Sequence, residues 1–94
     1  MSRRRFVIAY DIRDPKRLRD VHRTAKRYGY SLQYSVFVCD LGEQDLIRFK
    51  WDMGDVIRGD DEVVIIDLGN AGDTAKFDFL GHHPKLPHQG PTIV

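Results

Sequence analysis

Asp11 is the residue whose type and position most strongly suggest chemistry. It lies near the end of residues 6–12, an apolar run of strand-forming residues. Aspartate is depleted in strands, and a buried unpaired carboxylate is costly. Asp14, directly before Pro15, has the position of a helix N-cap. Because Asp14 caps the following helix, Asp11 is not needed for that structural role. Two interpretations remain open: a functional carboxylate, and a strand-end residue that binds local backbone N–H groups.

The first 27 residues concentrate positive charge around this carboxylate. They hold ten basic residues, eight of them arginine, against three acidic ones, whereas residues 28–94 hold five basic and eleven acidic residues. The arginine guanidinium matches phosphate geometry. This asymmetry indicates a polyanionic partner and phosphate or metal chemistry. The alternative is a solvated helix face that pairs with the acidic half.

A basic helix is predicted after the first strand. It begins at Asp14-Pro15, repeats apolar residues at positions 18, 21, 25 and 28, and stops at Gly29. The residues off this apolar stripe face solvent or a partner. The expected nucleic-acid contacts among them are Arg19, Arg23, Lys26 and Arg27.

The rest of the chain is predicted to form three further strands, a second helix and a tail. Residues 32–39 alternate with period two, residues 43–57 carry a helical apolar stripe, and residues 62–68 are apolar nearly throughout. A short strand is expected at residues 76–80. The domain is therefore residues 1–80, and residues 81–94, with three prolines, form a tail expected to contact a partner or a sheet edge.

This order predicts an α+β domain with a ferredoxin-like, βαββαβ-type antiparallel sheet and two helices on one face. A domain of 94 residues is marginal alone. A homodimer through the other face of the sheet is therefore expected. Period two places Val7, Ala9 and Asp11 on that face, with Phe37 from the neighbouring strand.

Composition argues against export, membrane insertion and zinc binding. The basic N-terminus is followed by an apolar run too short for a signal peptide or a span. The single Cys39 forbids an internal disulfide and fits a cytoplasmic protein. The tail histidines lack cysteine partners. Trp51 lies off the apolar stripe of the second helix. Two interpretations are open: it is an exposed residue that anchors a partner, or its ring covers the edge of the core.

Residues 8–12 and 33–39, joined by a basic helix in so short a chain, resemble the small CRISPR-associated subunit that works with the integrase in spacer acquisition. The resemblance covers about residues 5–80. It implies a homodimer whose first-strand aspartates, here Asp11 of each protomer, approach across the two-fold axis and share a magnesium ion. The expected partners are a second copy, the integrase, and duplex DNA or single-stranded RNA.

The same resemblance assigns roles by motif position. Tyr10 and Asp11 would be catalytic, and Ser35 and Phe37 would line the site. Arg17 matches only by helix position, as a nucleic-acid contact, and Arg19 matches in the same way. Magnesium prefers one or two carboxylates with waters and substrate phosphate, so a pair of Asp11 side chains is adequate. The ion would orient a water and neutralise charge on the scissile phosphate.

Two functions of different class share these features. One is a metal-dependent endonuclease that cuts RNA or DNA. The other is a non-catalytic scaffold that binds duplex DNA and the integrase. An RNA-recognition module is less favoured, because residues 30–38 lack the glycine and aromatic spacing of the usual RNA-binding strand.

Overall fold

The computed structural model describes residues 3–71 and 78–81. The elements follow the order β1 (Arg4–Asp11), α1 (Pro15–Tyr28), β2 (Tyr30–Gln33), β3 (Val36–Leu41), α2 (Glu43–Val56) and β4 (Glu62–Asn70). The strands form one sheet in the order β2-β3-β1-β4, and every neighbouring pair is antiparallel. Both helices pack on one face, where the hydrophobic core lies. The predicted ferredoxin-like fold is confirmed.

The start of α1 follows the predicted capping chemistry. Asp14 has an extended backbone, and its side chain accepts a hydrogen bond of 2.9 Å from the Arg17 backbone N–H. Pro15 occupies the first helical position, where its missing N–H has no cost. The helix buries Val21 and Ala25 against the sheet. The first basic stretch is therefore a helix with one apolar side.

Gly29 ends α1 as predicted, but through close packing rather than through a left-handed backbone. Its N–H donates to the Ala25 carbonyl at 3.1 Å, and its φ of −166° is open to any residue. A Cβ at this position would lie 2.1 Å from the Val38 carbonyl oxygen and 2.5 Å from Cys39 Sγ. Only glycine lets the helix end approach β3 this closely.

The single strand expected at residues 32–39 is a hairpin. The chain turns at Tyr34-Ser35, and Gln33 pairs with Val36 across the turn. The sequence gives no glycine, asparagine or aspartate at this turn, which are the residues that signal a two-residue hairpin. The hairpin supplies the strand that the prediction placed at residues 76–80. Of those five residues, 78–80 lie outside any strand, and the other two, like tail residues 82–94, fall outside the described residues.

Phe37 lies on the helix side of the sheet, not on the Asp11 face where it was expected. It is fully buried with Cys39 and Leu41 in the core. Val36 and Val38 take the opposite face of β3 instead. Both faces of this strand are apolar, so alternation alone could not decide which one meets the helices. Burial raises the pKa of the Cys39 thiol to about 12, which makes it a packing residue rather than a nucleophile.

The second helix matches its prediction. Phe49 and Met53 are buried, and Leu46 and Val56 pack against them. Trp51 is 72% exposed and so does not cover the core edge of this chain. Neither helix in the described part of the chain has the length and apolar composition needed to cross a membrane.

Replacing Gly29 with alanine should destabilise the fold by about 3 kcal/mol, because the added methyl overlaps backbone atoms of β3 that cannot move away. Gly54→Ala is the matched control. Gly54 lies in α2 with no atom near its missing Cβ, so alanine there should raise the unfolding free energy by up to about 1 kcal/mol. Urea unfolding followed by circular dichroism measures both. Equal stability of Gly29→Ala and the unmodified protein would contradict the packing account.

Candidate functional site

The face of the sheet away from the helices, which we call the open face, carries an exposed apolar centre. Register pairs Val7 with Val38 and with Ile66, and Ala9 with Val36 and with Val64, so these side chains share one face. Val64 is 50% exposed and Ile66 is 46% exposed. The β4 side of the open face is thus exposed to solvent, whereas Val38 on β3 is only 4% exposed.

An ion pair between Arg5 and Asp40 lies at one end of the open face. Arg5 lies opposite Asp40 in the β1–β3 register. Its Nε donates to Asp40 Oδ1 at 2.8 Å and its Nη2 donates to Oδ2 at 3.0 Å. This two-pronged contact with Asp40 raises the pKa of the Arg5 guanidinium. The charges at this end are therefore mutually satisfied.

The other end of the open face carries two carboxylates. Asp11 lies directly opposite Glu62 in the β1–β4 register, and both are exposed. Neither side chain has a hydrogen-bond or ion-pair partner within residues 3–71 and 78–81. Like charges at paired strand positions are unfavourable. No group of three or more potential metal ligands exists in the described residues, so one protomer offers at most this pair to a cation.

Tyr10 points away from Asp11, into the helix side of the sheet. Its hydroxyl donates to the Tyr34 carbonyl at 3.0 Å and lies 2.9 Å from His22 Nδ1. Burial, with a smaller effect of Tyr34, raises the pKa of the Tyr10 phenol to about 12. The structure therefore does not bring the two residues expected to be catalytic together.

Ser35 and Phe37, the two residues expected to line the site, also lie apart from each other in the structure. The Ser35 carbonyl accepts a hydrogen bond of 3.1 Å from the Tyr10 N–H, which places the hairpin turn beside the end of β1 that carries Asp11. Phe37 lies in the core, on the opposite side of the sheet from Asp11.

Arg17 is engaged in a partly buried ion pair. Its Nε donates to Asp61 Oδ2 at 2.8 Å and its Nη2 donates to Oδ1 at 3.3 Å. The Asp61 side chain is fully shielded from solvent, and its Oδ2 also accepts from the Arg58 backbone N–H. The contact ties the start of α1 to the turn before β4. Arg17 is therefore bound internally, whereas the sequence predicted a contact for nucleic acid.

The other four predicted contacts lie exposed on α1, as expected. Arg19 and Lys26 have no acidic partner among the residues that the structure describes. Arg23 contacts Asp20 at 3.4 Å and Arg27 contacts Asp52 at 3.0 Å, both on the surface. These cations line a shallow groove of about 430 Å³ together with His22 and Tyr34.

His22 and Tyr34 were missed by the sequence analysis as groove residues. The position of His22, three residues after Arg19 and four before Lys26, places it on the same side of α1 and was a usable signal. Tyr34 reaches the groove only because the chain turns there, and the turn had no sequence signal.

The fold and site together define a small ferredoxin-like protein with a strand-end carboxylate and a basic first helix. Residues 4–75 match the family described as CRISPR associated protein Cas2, and the chain belongs to this family. The resemblance inferred from residues 8–12 and 33–39 is thereby confirmed.

Individual relatives agree with the family assignment. A CRISPR-associated endoribonuclease Cas2 of Rhodospirillum rubrum is 45% identical over 69 residues, covering 72% of this chain and 68% of the relative. A CRISPR-associated endonuclease Cas2 of Halalkalibacterium halodurans is 31% identical over 93 residues, covering 93% and 96%. The chain is similar to both along most of their length.

Solved structures share the fold. A hypothetical protein from Thermus thermophilus superposes with a TM-score of 0.77 at 28% identity, over 88% of this chain and 96% of that one. Cas2 of Streptococcus pyogenes superposes with a TM-score of 0.64 at 28% identity, over 69% and 86%. The four-stranded sheet with two helices is thus common to these proteins.

The Arg17–Asp61 pair predicts a pH dependence of stability. The hydrogen bond from Arg17, with that from the Arg58 N–H, lowers the pKa of Asp61 from 3.8 to about 2. An ionised Asp61 therefore stabilises the folded state above about pH 4, and this contribution is lost as the pH falls toward about 2. Asp61→Asn should be less stable than the unmodified protein at pH 7, and the difference should shrink between about pH 4 and 2.

Thermal unfolding at several pH values measures this difference. Asp55→Asn is the control, because the Asp55 side chain is exposed and has no partner in the described residues. A stability difference for Asp61→Asn that stayed constant from pH 7 to 2 would show that the pair does not act through ionisation.

Proposed function

We propose that this protein is a homodimeric CRISPR adaptation subunit that binds nucleic acid and cuts phosphodiester bonds with magnesium. The observation that carries this proposal is the layout of the open face, with an exposed apolar centre and the unpaired carboxylates of Asp11 and Glu62 at one end. A second copy placed on this face would bury the apolar centre. It would also add a second Asp11 to the site.

The dimer is supported by the chemistry of the open face. Val64 and Ile66 are exposed on β4 beside Val7 and Ala9 of β1, and together they form an apolar surface of a kind that monomeric proteins rarely leave in water. The Arg5–Asp40 pair at its rim is already neutralised internally and so can be covered at little cost. A self-complementary face of this kind is suited to two-fold symmetry.

The donor set at the end of β1 fits magnesium. Carboxylate oxygens are the ligands that magnesium prefers, and one or two of them suffice when waters and substrate phosphate complete the shell. Asp11 would hold the ion with its symmetry mate. Glu62, which lies opposite Asp11, would add a further carboxylate near the ion. The ion would supply charge neutralisation at the scissile phosphate.

The reaction class follows from the relatives, which are named as endoribonucleases or endonucleases. We infer the same phosphodiester cleavage for this chain. We also propose the integrase subunit as its partner in the cytoplasm. The exposed cations of α1 would hold the substrate by its phosphates.

A non-catalytic scaffold is the second candidate, and the position of Tyr10 favours it. A nuclease would gain from an acid or base beside the metal, but Tyr10 lies across the sheet with its hydroxyl engaged. A scaffold needs only the basic surface and the dimer. Duplex DNA and the integrase would be its partners, with spacer integration as the result.

Asp11→Asn should abolish magnesium-dependent cleavage of RNA or DNA while leaving the dimer intact, because asparagine keeps the shape of the side chain but loses the charge that holds the metal. Gel assays with and without EDTA measure cleavage, and sedimentation measures the dimer. Asp14→Asn is the matched control, since asparagine also caps helices well.

The outcomes separate the two candidate functions. Full cleavage by Asp11→Asn would make Asp11 a structural residue. No cleavage by the unmodified dimer with any divalent metal would favour the scaffold. A monomeric unmodified protein would contradict the role given to the open face.

Replacing Arg19 and Arg23 with alanine should weaken duplex DNA binding for all sequences alike, because phosphate contacts carry no base information. Each lost contact should reduce the slope of log K against log salt by about 0.9. Arg48→Ala with Lys50→Ala removes the same charge from α2 and serves as control. Fluorescence anisotropy measures both the affinity for DNA and its salt dependence. If neither changes in the α1 variant, the basic side of α1 is a solvent-exposed face that does not bind DNA.

A further inference from the structure

The groove beside α1 contains an exposed aromatic ring that phosphate binding does not require. Tyr34 is 61% exposed and lines the groove with Arg19, Arg23, Lys26 and Arg27. Contacts with a phosphate backbone need cations and hydrogen-bond donors only. A ring held among these cations adds a second kind of contact, namely stacking.

The ring is backed by other aromatic side chains. The Tyr34 and His22 rings stack with centroids 5.0 Å apart and planes at 20°. His22 in turn meets Phe37 edge-on at 5.3 Å and 73°. Phe37 is fully buried in the core. Tyr34 is thus the outermost member of a column that is anchored in the interior.

A triangle of hydrogen bonds fixes the middle of this column. The Tyr34 carbonyl can only accept, so its 3.2 Å contact with His22 Nδ1 requires a proton on that nitrogen. That single proton is shared with the Tyr10 hydroxyl, which lies 2.9 Å from His22 Nδ1 and itself donates to the Tyr34 carbonyl at 3.0 Å. The histidine ring is held in place before any ligand arrives, which lowers the ordering cost of binding.

We infer that Tyr34, backed by His22, is a stacking platform for an unpaired base of a nucleic acid whose phosphates lie along α1. Bases in a duplex are already stacked on their neighbours, so a free aromatic face favours single-stranded segments. RNA and single-stranded DNA both offer such a base. The inference rests on the proposed binding of nucleic acid by α1 and assigns it a strand type and a contact.

The test compares two short oligonucleotides that carry bases with one that lacks them. Fluorescein-labelled eight-nucleotide oligo(U), oligo(dT) and a matched abasic strand are titrated with the full-length protein in EDTA, which prevents cleavage. Tyr34→Ala should weaken binding of oligo(U), oligo(dT) or both by about 5-fold or more. Binding of the abasic strand should not change. The oligonucleotide that loses more affinity is the one whose bases stack more strongly on Tyr34.

Two further variants separate stacking from packing. Tyr34→Leu keeps an apolar side chain over His22 but has no aromatic face, so it should lose affinity as Tyr34→Ala does. Tyr34→Trp should retain affinity. Trp51→Ala removes a similarly exposed aromatic residue from α2 and should have no effect. Thermal unfolding of each variant confirms that the fold is kept.

Failure of this inference differs from failure of the proposed function. If Arg19→Ala with Arg23→Ala weakens all three strands while Tyr34→Ala changes none, α1 binds phosphates and the platform is overturned. An equal loss for abasic and normal strands in Tyr34→Ala would also overturn it. If neither variant affects any strand, the proposed nucleic-acid binding by α1 fails as well.

Discussion

The pairing of β1 with β3 on one edge and β4 on the other is the constraint on which the rest of the molecule depends. A strand held on both edges cannot slip by one residue without turning its core side chains outward. Phe6, Ile8 and Tyr10 are therefore fixed on the helix side, and Val7, Ala9 and Asp11 are fixed on the open face. The position of the carboxylate follows from the packing of its neighbours.

This alternation also places Asp11 and Tyr10, two neighbouring residues, on opposite faces of β1. Asp11 ends on the open face, where a second copy would meet it. Tyr10, one residue earlier, holds His22 and the Tyr34 carbonyl on the helix side. A change at the end of β1 can therefore affect both the carboxylate pair and the aromatic column. The two surfaces are coupled by adjacency in sequence, although they lie on opposite sides of the sheet.

Sequence reasoning succeeded where the signal is local. Asp14-Pro15 and the apolar stripes predicted both helices, because capping and periodicity act within a few residues. It failed at Tyr34-Ser35, where the turn has no glycine, asparagine or aspartate to signal a two-residue hairpin, and at Phe37, where both strand faces are apolar. The partner of Arg17 was also hidden, since Asp61 is 44 residues away and only the folded chain brings the two together.

The charge that the first 27 residues can offer to a polyanion is smaller than the sequence suggests. Arg5 and Arg17 bind Asp40 and Asp61 through their guanidinium groups, and both of these pairs are mostly shielded from solvent. Exchanging Arg17 for a phosphate contact would leave the shielded Asp61 carboxylate without its partner, which is costly. The contacts of Arg23 and Arg27 are exposed, and surface ion pairs contribute little, so these side chains can turn to phosphate. Binding charge thus resides on the outer side of α1, next to Tyr34.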